Sequence, residues 1–579
     1  MESVYGEPGM DPTPFLPEPR DVRQIIRLPV HIKDAWGRSF VKEVRGLIVK
    51  VFAKEDPGPD DTVIPLMCVF KCKLNKFGMI DKLKSRAVFR GDLYTPMDGS
   101  DSWNPHATWA GLKIFLGWCA RHGTFPVQID YVMAYVQAKM RERVFVIIPE
   151  HWKELLPEEL HSWCGRPLLM LKALYGYTFS GKFLYKEQAD FLKEQGFRET
   201  AIVALWKKTF EDGTVVLVLQ YSDDFLAAGT NTKHMEAFKK ALSERFDVNI
   251  APRADWYLQA RIRQDANGNI ILDQQRYSKS IVRRYLPNAA DVPTPDDIRR
   301  YTLPLPGDFK WTKADNSANK KEVEALEREY GFRFIEVVGS LNYLANTATE
   351  ELFAIRKSCR HMNLPGRQHF RAILHMLHHL CCHPTNALVF CKDWRQSPVY
   401  KMLIQDLRME IPDGTLLWFT DASHADCDDS RSTCCYIGFF QGGVVDMQSF
   451  VPQPIAHSTA ESETMALAVG SMACSYIRMG MADILFDDPS RPWTVPVMSD
   501  SSAAIAMNNN SRPTRRSRHI DRRWFYARSE VASGRIILNH VGADYSLADV
   551  GTKNLTAKES AYKLSVMELP VSDHALGSH

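Results

Sequence analysis

Three aspartates follow apolar runs at two places in this chain. The segment from Val215 to Thr230 reads VVLVLQYSDDFLAAGT, and its pattern predicts two strands joined by a tight turn that holds Asp223 and Asp224. Upstream, a short apolar run from Val127 to Ile129 predicts a strand that ends at Asp130. The chain therefore presents three carboxylates at the ends of predicted strands.

These carboxylates are not explained by stability, because neighbouring negative charges repel one another unless a cation or a large pKa change relieves them. Asp is also common in plain polar turns, and the segment around Asp223 fits such a hairpin equally well when it is taken alone. The additional acid at Asp130 favours the cation. Three carboxylates on neighbouring strand ends can hold two Mg²⁺ ions, which prefer oxygen ligands and stabilise phosphoryl transfer.

Two short motifs around these acids resemble a known family. Asp130 followed by Ala134-Tyr135, and then the run Tyr221-Ser222-Asp223-Asp224, resemble the palm of reverse transcriptases, most closely in the polyproteins of copia-type LTR retrotransposons. The resemblance extends from about residue 46 to residue 555. It implies that Asp130, Asp223 and Asp224 bind two Mg²⁺ ions, with Mn²⁺ as a possible substitute, and that the substrates are dNTPs, an RNA template and a DNA primer.

The resemblance also implies roles for residues outside the acidic set. Arg86 lies in a predicted basic hairpin like that of the family's fingers, where it would bind the triphosphate of the incoming nucleotide. Tyr135 would lie beneath the sugar and exclude a 2′-hydroxyl. Phe179 and Gln259 stand where the family has Gln and Gly, and Gly181 stands where it has Pro. The loss of a Gln that contacts the nucleotide predicts a slow polymerase.

A second series of acids occurs in the C-terminal part of the chain. The apolar run from Leu416 leads into Asp421, and a later run leads into Asp500. With Glu463 and Asp549, these acids resemble the ribonuclease H domain of the same family, which implies a second pair of Mg²⁺ ions and cleavage of RNA in an RNA–DNA hybrid. Glu461 competes with Glu463 for the second position, and Glu463 is preferred because it precedes the apolar run Met465-Ala466-Leu467, as in the family.

Two further segments invite a functional interpretation. The stretch from Arg512 to Arg523 is rich in arginine, which suits sequence-independent contacts with a phosphate backbone but also fits a solvated basic face. The segment from His369 to His383 contains five histidines and two cysteines. No second pair of ligands stands at zinc spacing, so a structural helix is the preferred interpretation.

Composition sets the outer limits of these hypotheses. The chain has 579 residues, of which 45% are hydrophobic and 24% charged, and its net charge is +3. These values are typical of a globular protein with two to four domains. The 12 scattered cysteines do not indicate a disulfide framework, and neither a signal peptide nor a membrane span is expected, so an intracellular location, cytoplasmic or nuclear, is predicted.

The predicted architecture is α/β (α+β), with right-hand polymerase fingers and palm, a helical connection, and a ribonuclease H-like mixed α/β domain. The expected boundaries are a flexible leader at 1–45, fingers and palm at 46–286 with a first strand near Gly46 to Val49, a linker and helical thumb or connection at 287–410, ribonuclease H at 411–556, and a tail at 557–579. No protease, integrase or Cys/His-knuckle motif occurs in the sequence, so those parts and Gag are expected to be lost or on another chain.

The resulting hypothesis is an RNA-directed DNA polymerase that also has ribonuclease H activity. Two alternatives remain open from the sequence. One is a decayed relic that only binds nucleic acid, and the other is a ribonuclease H whose polymerase half is inactive.

Overall fold

The computed structural model describes residues 7–74, 79–95, 102–288, 293–307, 309–383, 385–411, 416–510, 520 and 522–567. Helices and strands alternate along the chain, and the strands form four sheets. The predicted α/β (α+β) class is confirmed.

The described residues of the first half contain two complete sheets, three strands of a third sheet and six α-helices. Its elements in chain order are α1 (Val22–Ile26), α2 (Val30–Lys50), β1 (Phe52–Ala53), β2 (Val63–Leu74), β3 (Ile80–Phe89), α3 (Trp109–His122), β4 (Val127–Tyr131), β5 (Phe145–Ile147), β6 (Pro167–Met170), α4 (Ser180–Glu194), β7 (Arg198–Glu199), β8 (Leu205–Thr209), β9 (Val215–Tyr221), β10 (Asp224–Gly229), α5 (Thr232–Arg245), β11 (Val248–Ala251), β12 (Trp256–Tyr257), β13 (Ala260–Gln264), β14 (Ile270–Asp273) and α6 (Gln275–Tyr285).

A five-stranded sheet, ordered β1-β6-β5-β2-β3, occupies the region predicted to be the fingers. The six-stranded sheet of the predicted palm has the order β11-β4-β10-β9-β8-β7. In the palm sheet, β4 lies between β10 and β11 and pairs antiparallel with both.

The run of apolar residues in β9 reflects burial on both faces of the palm sheet. Val216 and Val218 pack into one hydrophobic cluster with the fingers, whereas Leu217 and Leu219 pack into a second cluster on the opposite face. Successive strand residues point to opposite faces, so a sheet that is covered on both sides needs apolar residues at every position. Helix α3 forms part of that second cover.

The middle of the chain is mainly helical, in agreement with the predicted connection. It comprises α7 (Pro295–Arg300), α8 (Lys320–Tyr330), α9 (Phe334–Leu344), α10 (Leu352–Cys359), α11 (Arg367–Cys382), β15 (Leu388–Phe390) and α12 (Pro398–Lys401). The histidine-rich segment is helix α11, as preferred over a zinc motif. Strand β15 completes the sheet β12-β13-β14-β15 and so ties this region to the end of the palm.

The last sheet is mixed and carries long helices. Its elements are β16 (Leu417–Ser423), β17 (Thr433–Phe440), β18 (Gly443–Phe450), α13 (Thr459–Phe486), β19 (Val495–Ser499), α14 (Ser502–Asn509), α15 (Tyr526–Ala532), β20 (Ile536–His540) and α16 (Ala557–Met567). The strand order is β18-β17-β16-β19-β20, in which β16, β19 and β20 run parallel and the other pairs antiparallel.

This last unit packs directly on the palm. One hydrophobic cluster contains residues of α3 and β9 together with residues of β16, β17, β18 and α13. Arg198, on the edge strand β7 of the palm sheet, forms ion pairs with Asp483 at 2.7 Å and Asp487 at 2.8 Å near the end of α13. The palm sheet and the last sheet therefore share one hydrophobic core.

The structure corrects the expectation of a flexible leader and of a strand at Gly46 to Val49. Residues 30–50 form helix α2, whose buried positions include Trp36, Phe40, Val44 and Leu47. These residues recur every three or four positions, which places them on one face of a helix. The predicted tail is also helical at its start, because Ala557–Met567 form α16 and bury Leu564.

The expectations about disulfide bonds and membrane spans can be compared with the described residues. All twelve cysteines lie among them, and all are free. By length and composition, one described helix, Thr459–Phe486, could cross a membrane, and 67% of its apolar window is buried inside the protein.

Candidate active sites

The three aspartates of the palm come together through strand pairing. Asp224 on β10 lies directly opposite Asp130 on β4, and Asp223 precedes Asp224 in the turn from β9. Tyr221 pairs with Asp224, so the turn contains only Ser222 and Asp223, and Ser222 has φ +53°. The hairpin register therefore brings all three carboxylates to one end of two neighbouring strands.

Asp224 is half-buried, whereas Asp130 is exposed, and it has a polar partner. The side-chain amide of Gln128 donates to Oδ1 and Oδ2 of Asp224 at 3.0 and 3.2 Å. Burial raises the pKa of Asp224 to about 6, with smaller contributions from the charges of Asp130 and Asp223, while the Gln128 hydrogen bond opposes this rise. Gln128 is a site residue that the sequence analysis missed, although its place two residues before Asp130 puts it on the same face of β4.

A series of buried side-chain hydrogen bonds leads to the turn that contains Ser222 and Asp223. The amide of Gln188 on α4 donates to the Ser222 carbonyl at 3.1 Å, and Gln220 donates to Gln188 at 2.7 Å. Trp206 completes the chain by donating to Gln220 at 3.0 Å. The Tyr257 hydroxyl donates to the Asp224 carbonyl at 3.0 Å. Such contacts restrict the turn, because buried hydrogen bonds are costly to break.

Arg86 and Tyr135 both contact a third residue, Tyr175. The guanidinium of Arg86 on β3 lies 4.4 Å from the Tyr175 ring centroid, and the Tyr135 ring lies 4.9 Å from it in an edge-on arrangement. Burial raises the pKa of Tyr175 to about 12, and the nearby charge of Asp223 adds to this rise, which places Tyr175 close to the acids. The family motif around Tyr175 could have identified it.

Gly176, the residue after Tyr175, explains how Tyr175 reaches this position. Gly176 has φ +87°, and a Cβ there would come within 2.2 Å of the Phe89 carbonyl oxygen. The Phe89 amide in turn donates to the Tyr175 carbonyl at 2.7 Å. Only glycine allows the chain to cross the end of β3 so closely, and this crossing sets Tyr175 beside Arg86.

Phe179 does not lie where the resemblance places it. Its side chain is 1% exposed and packs between Tyr177 and Phe183, at ring distances of 5.8 and 6.3 Å. The expectation that a residue at this position contacts the nucleotide is therefore wrong for this chain, because an apolar side chain here gains more from burial than from facing the open site.

Gln259 occupies a position that favours glycine. Its φ is +61°, and that of the preceding Leu258 is +48°. The left-handed conformation costs a residue with a Cβ roughly 1–2 kcal/mol, which glycine does not pay. The nearby Tyr257 donates a hydrogen bond to the Asp224 carbonyl. The strained backbone at Gln259 therefore lies close to the candidate site.

The second group of acids is held by the parallel strands of the mixed sheet. Asp421 lies on β16, and Asp500 follows the end of the adjacent strand β19, so both come from the carboxyl ends of parallel strands. Asp549 lies on a short 3₁₀ helix after β20. One carboxylate oxygen from each of these three residues lies within 4.8 Å of the others.

Glu463 lies beside this group, whereas Glu461 is used elsewhere. An oxygen of Glu463 accepts the backbone N–H of Ala422, the neighbour of Asp421, at 3.2 Å. Burial raises the pKa of Glu463 to about 9, and the charges of Asp421 and Asp500 add to the rise. Glu461 instead accepts the backbone N–H of His457 at 2.8 Å, as a cap on the start of α13. The geometry favours the preferred assignment.

The remaining acids of the group are also perturbed. Burial, followed by the charge of Asp549, raises the pKa of Asp421 to about 7. Burial and the charge of Asp549 raise the pKa of Asp500 as well. Buried like charges disfavour ionisation, so the group gains from any cation that binds between its members.

Three residues around the acids were not identified from the sequence. The Thr552 hydroxyl donates to Asp421. Lys553 and the buried Lys563 lie 3.1 and 3.2 Å from the Asp549 carboxylate. Lys563 also donates to three backbone carbonyls, so it fixes the 3₁₀ helix that carries Asp549. Nothing in the sequence spacing of Lys553 and Lys563 distinguishes them from ordinary surface lysines.

The donor set of this group fits a divalent cation that prefers oxygen. It consists of carboxylates alone, and a buried oxygen of Glu463 has no hydrogen-bond partner. Among the described residues, the palm acids do not form a group of that tightness, because Asp224 is turned towards Gln128. A cavity of about 690 Å³ opens beside Asp549 and is lined by residues that include Lys553 and Tyr562.

Two arginine-containing segments lie outside both groups of acids. Most of the basic stretch from Arg512 to Arg523, residues 511–519 and 521, lies outside the described residues. Arg431 forms a 2.6 Å ion pair with Asp429, which also pairs with Arg360 of the helical connection.

Comparison with known proteins supports the assignment of the first half. Residues 50–296 match the family model described as reverse transcriptase (RNA-dependent DNA polymerase). The chain is 24% identical over 497 residues to the retrovirus-related Pol polyprotein from transposon TNT 1-94 of Nicotiana tabacum, and 23% identical over 568 residues to that from transposon RE2 of Arabidopsis thaliana. Residues 50–296 are therefore similar to reverse transcriptases, and most of the chain is similar to retrotransposon Pol polyproteins.

The chain spans about a third of the length of those relatives. The alignments cover 84% and 96% of this chain but 34% and 35% of the two polyproteins. The solved structure of RNase H1 from Halobacterium salinarum NRC-1 aligns with 24% of this chain and 95% of its own, at 14% identity and a TM-score of 0.18. At that TM-score, the ribonuclease H assignment depends on the motif and on the geometry of the four acids.

Proposed function

We propose that this chain is an RNA-directed DNA polymerase with a ribonuclease H site, acting on the RNA template, DNA primer and RNA–DNA hybrid of a retrotransposon. The observation that carries the proposal is the pairing of Asp224 with Asp130, with Asp223 beside them, inside the segment that matches the reverse transcriptase family. The compact group of Asp421, Asp500 and Asp549 supports the second activity.

In the polymerase site, Asp130, Asp223 and Asp224 would hold Mg²⁺ or Mn²⁺. Bound there, the cations would offset negative charge on the attacking and leaving oxygens. The Arg86 guanidinium would bind the triphosphate of the dNTP, since it presents paired donors to phosphate oxygens. Tyr135 would bound the sugar pocket and exclude a 2′-hydroxyl. Tyr175, which contacts both residues, would help to hold Arg86 and Tyr135 in place.

In the nuclease site, Asp421, Glu463, Asp500 and Asp549 would hold Mg²⁺. The cations would stabilise the charge that develops on the scissile phosphate. Lys553 and Lys563 would keep Asp549 in place and offset part of the charge of the acids. An RNA–DNA hybrid is recognised through backbone shape and 2′-hydroxyls, so neither site needs base-specific contacts.

A specific observation favours a second candidate, a ribonuclease H whose polymerase half is inactive. The nuclease acids form a tight group, whereas both oxygens of Asp224 are engaged by Gln128. If Gln128 keeps Asp224 from a cation, Gln128→Ala should increase primer extension. If Gln128 positions Asp224 for the cation, the same substitution should decrease extension.

The test is a pair of assays on the full chain with Mg²⁺ and, separately, Mn²⁺. Extension of a labelled DNA primer on an RNA template measures the polymerase, and cleavage of labelled RNA in a hybrid measures the nuclease. Activity in both assays supports the proposal. Cleavage without extension supports the nuclease alternative, and hybrid binding without either reaction would identify a nucleic-acid-binding relic.

A further inference from the structure

The helical connection contains a buried pair of ionisable residues outside both candidate active sites. Glu351, at the start of α10, is 0% exposed, and His379 on α11 is 2% exposed. Nε2 of His379 lies 3.3 Å from Oε1 of Glu351. The side chains of a carboxylic acid and an imidazole are rarely buried so completely without a specific partner, because burial of a charge is costly.

The contacts of His379 fix which atom faces Glu351. Its Nδ1 lies 2.7 Å from the Tyr301 carbonyl oxygen, which can only accept, so Nδ1 carries the hydrogen. In the neutral ring, Nε2 then presents a lone pair to the carboxylate. Nε2 of His379 and both carboxylate oxygens of Glu351 are buried and have no hydrogen-bond partner. Two electron-pair donors that face one another in this way need a cation between them.

The separation of these atoms fits a metal ion better than a hydrogen bond. Zn²⁺ binds imidazole nitrogen and carboxylate oxygen at about 2.0–2.2 Å, which at tetrahedral angles sets two ligand atoms about 3.3–3.5 Å apart. A charge-assisted N–H···O bond is shorter, at about 2.7–2.9 Å. A carboxylate oxygen of Glu350 also lies within 4.8 Å of the ligand atoms of Glu351 and His379.

We propose that Glu350, Glu351 and His379 form a structural site for a divalent transition metal, with Zn²⁺ as the fitting ion. One imidazole nitrogen among oxygen ligands suits Zn²⁺ better than Mg²⁺, which takes oxygen ligands and keeps its waters. The hydrogen bond from Nδ1 to the Tyr301 carbonyl orients the ring, as is usual for a histidine that binds a metal through its other nitrogen. The fourth position is left for water.

The site would fasten the start of α10 to α11. Helix α10 carries Lys357, which pairs with Asp426 at 2.6 Å, and is followed by Arg360, which pairs with Asp429 at 2.9 Å. Both acids lie in the loop after β16, the strand of Asp421. The metal would therefore stabilise the contact between the helical connection and the nuclease unit without taking part in either reaction.

A proton shared by Glu351 and His379 is the competing explanation. Burial raises the pKa of Glu351 well above its usual range, and burial lowers the pKa of His379 to about 3, so without a metal both groups would be neutral. Glu351→Gln separates the two explanations. A glutamine amide can donate to the Nε2 lone pair and replace the acid's hydrogen bond, but it is a poor metal ligand.

The experiment measures zinc bound by the full chain after purification without a metal-affinity column, in buffer with excess Mg²⁺. We expect about one equivalent of zinc in the wild type and a loss of at least tenfold in Glu351→Gln and in His379→Gln. The Asp421→Asn chain is measured in parallel, because the nuclease acids could also take zinc, and it should retain the equivalent. His375→Gln, one turn earlier on α11, is the matched control, since His375 instead contacts the Leu303 carbonyl at 3.1 Å.

Wild-type stability provides a readout that does not depend on how the variants fold. A zinc-selective chelator should lower the midpoint of thermal unfolding of the wild type, and re-addition of Zn²⁺ but not Mg²⁺ should restore it. The proposal is overturned if the wild type retains no more zinc than Glu351→Gln and its midpoint does not respond to Zn²⁺. Glu351 and His379 would then share a proton.

Discussion

Replacement of Phe179 by Gln distinguishes the buried position seen in the structure from the nucleotide contact implied by the family resemblance. If residue 179 reached the nucleotide, Gln would restore a hydrogen bond and speed extension. Phe179 instead packs between Tyr177 and Phe183 and is 1% exposed. We therefore expect Phe179→Gln to destabilise the chain without improving the chemistry of each folded molecule.

The size of this effect follows from what is buried. Truncation of a buried Phe to Ala costs about 3–5 kcal/mol, and Gln regains part of this through its two methylene groups. A buried amide without partners then costs about 1–3 kcal/mol. We expect a net loss of about 3–5 kcal/mol in the free energy of unfolding, a large part of the stability of a typical protein.

The assay combines urea unfolding with primer extension under steady-state conditions. Phe179→Leu is the matched control, because it keeps the position apolar and should cost less than about 1.5 kcal/mol. When extension rates are corrected for the folded fraction, KM for dNTP should be the same in the wild type and in both variants. The reasoning is refuted if Phe179→Gln has the same midpoint of urea unfolding as the wild type and a lower KM for dNTP.

Three further changes test the two sites and the strained backbone. Asp421→Asn should reduce cleavage of RNA in a hybrid at least about a hundredfold while leaving primer extension intact, and undiminished cleavage would remove Asp421 from the site. Asp223→Asn should abolish primer extension and leave hybrid cleavage unchanged; an equal loss of both activities would instead indicate a folding defect. Gln259→Gly should raise the free energy of unfolding by about 1 kcal/mol, because glycine accepts φ +61° without strain, and calorimetry that shows a loss would contradict this.

Much of the local structure was predictable from the sequence because it depends on short-range patterns. The apolar runs of β9 and β10 with acids between them predict a hairpin, and the structure contains one. Tyr175 was not identified from the sequence, although it contacts both Arg86 and Tyr135, and the close approach of the chain to Phe89 accounts for the adjacent glycine. Helix α2 was missed because a short apolar stretch near Leu47 was interpreted as a strand, although its longer periodicity is helical.

The sequence by itself determined which residues bear charge, where strands end in acids, and in what order the two sets of acids occur. Tertiary structure decided the rest, because burial and approach depend on segments far apart in the chain. Only the packed fold buries Phe179, brings Gln128 to Asp224, and places Lys563 against Asp549. It also sets His379 opposite Glu351, since their facing lone pairs arise from the packing of two helices and leave no trace in the local pattern of either.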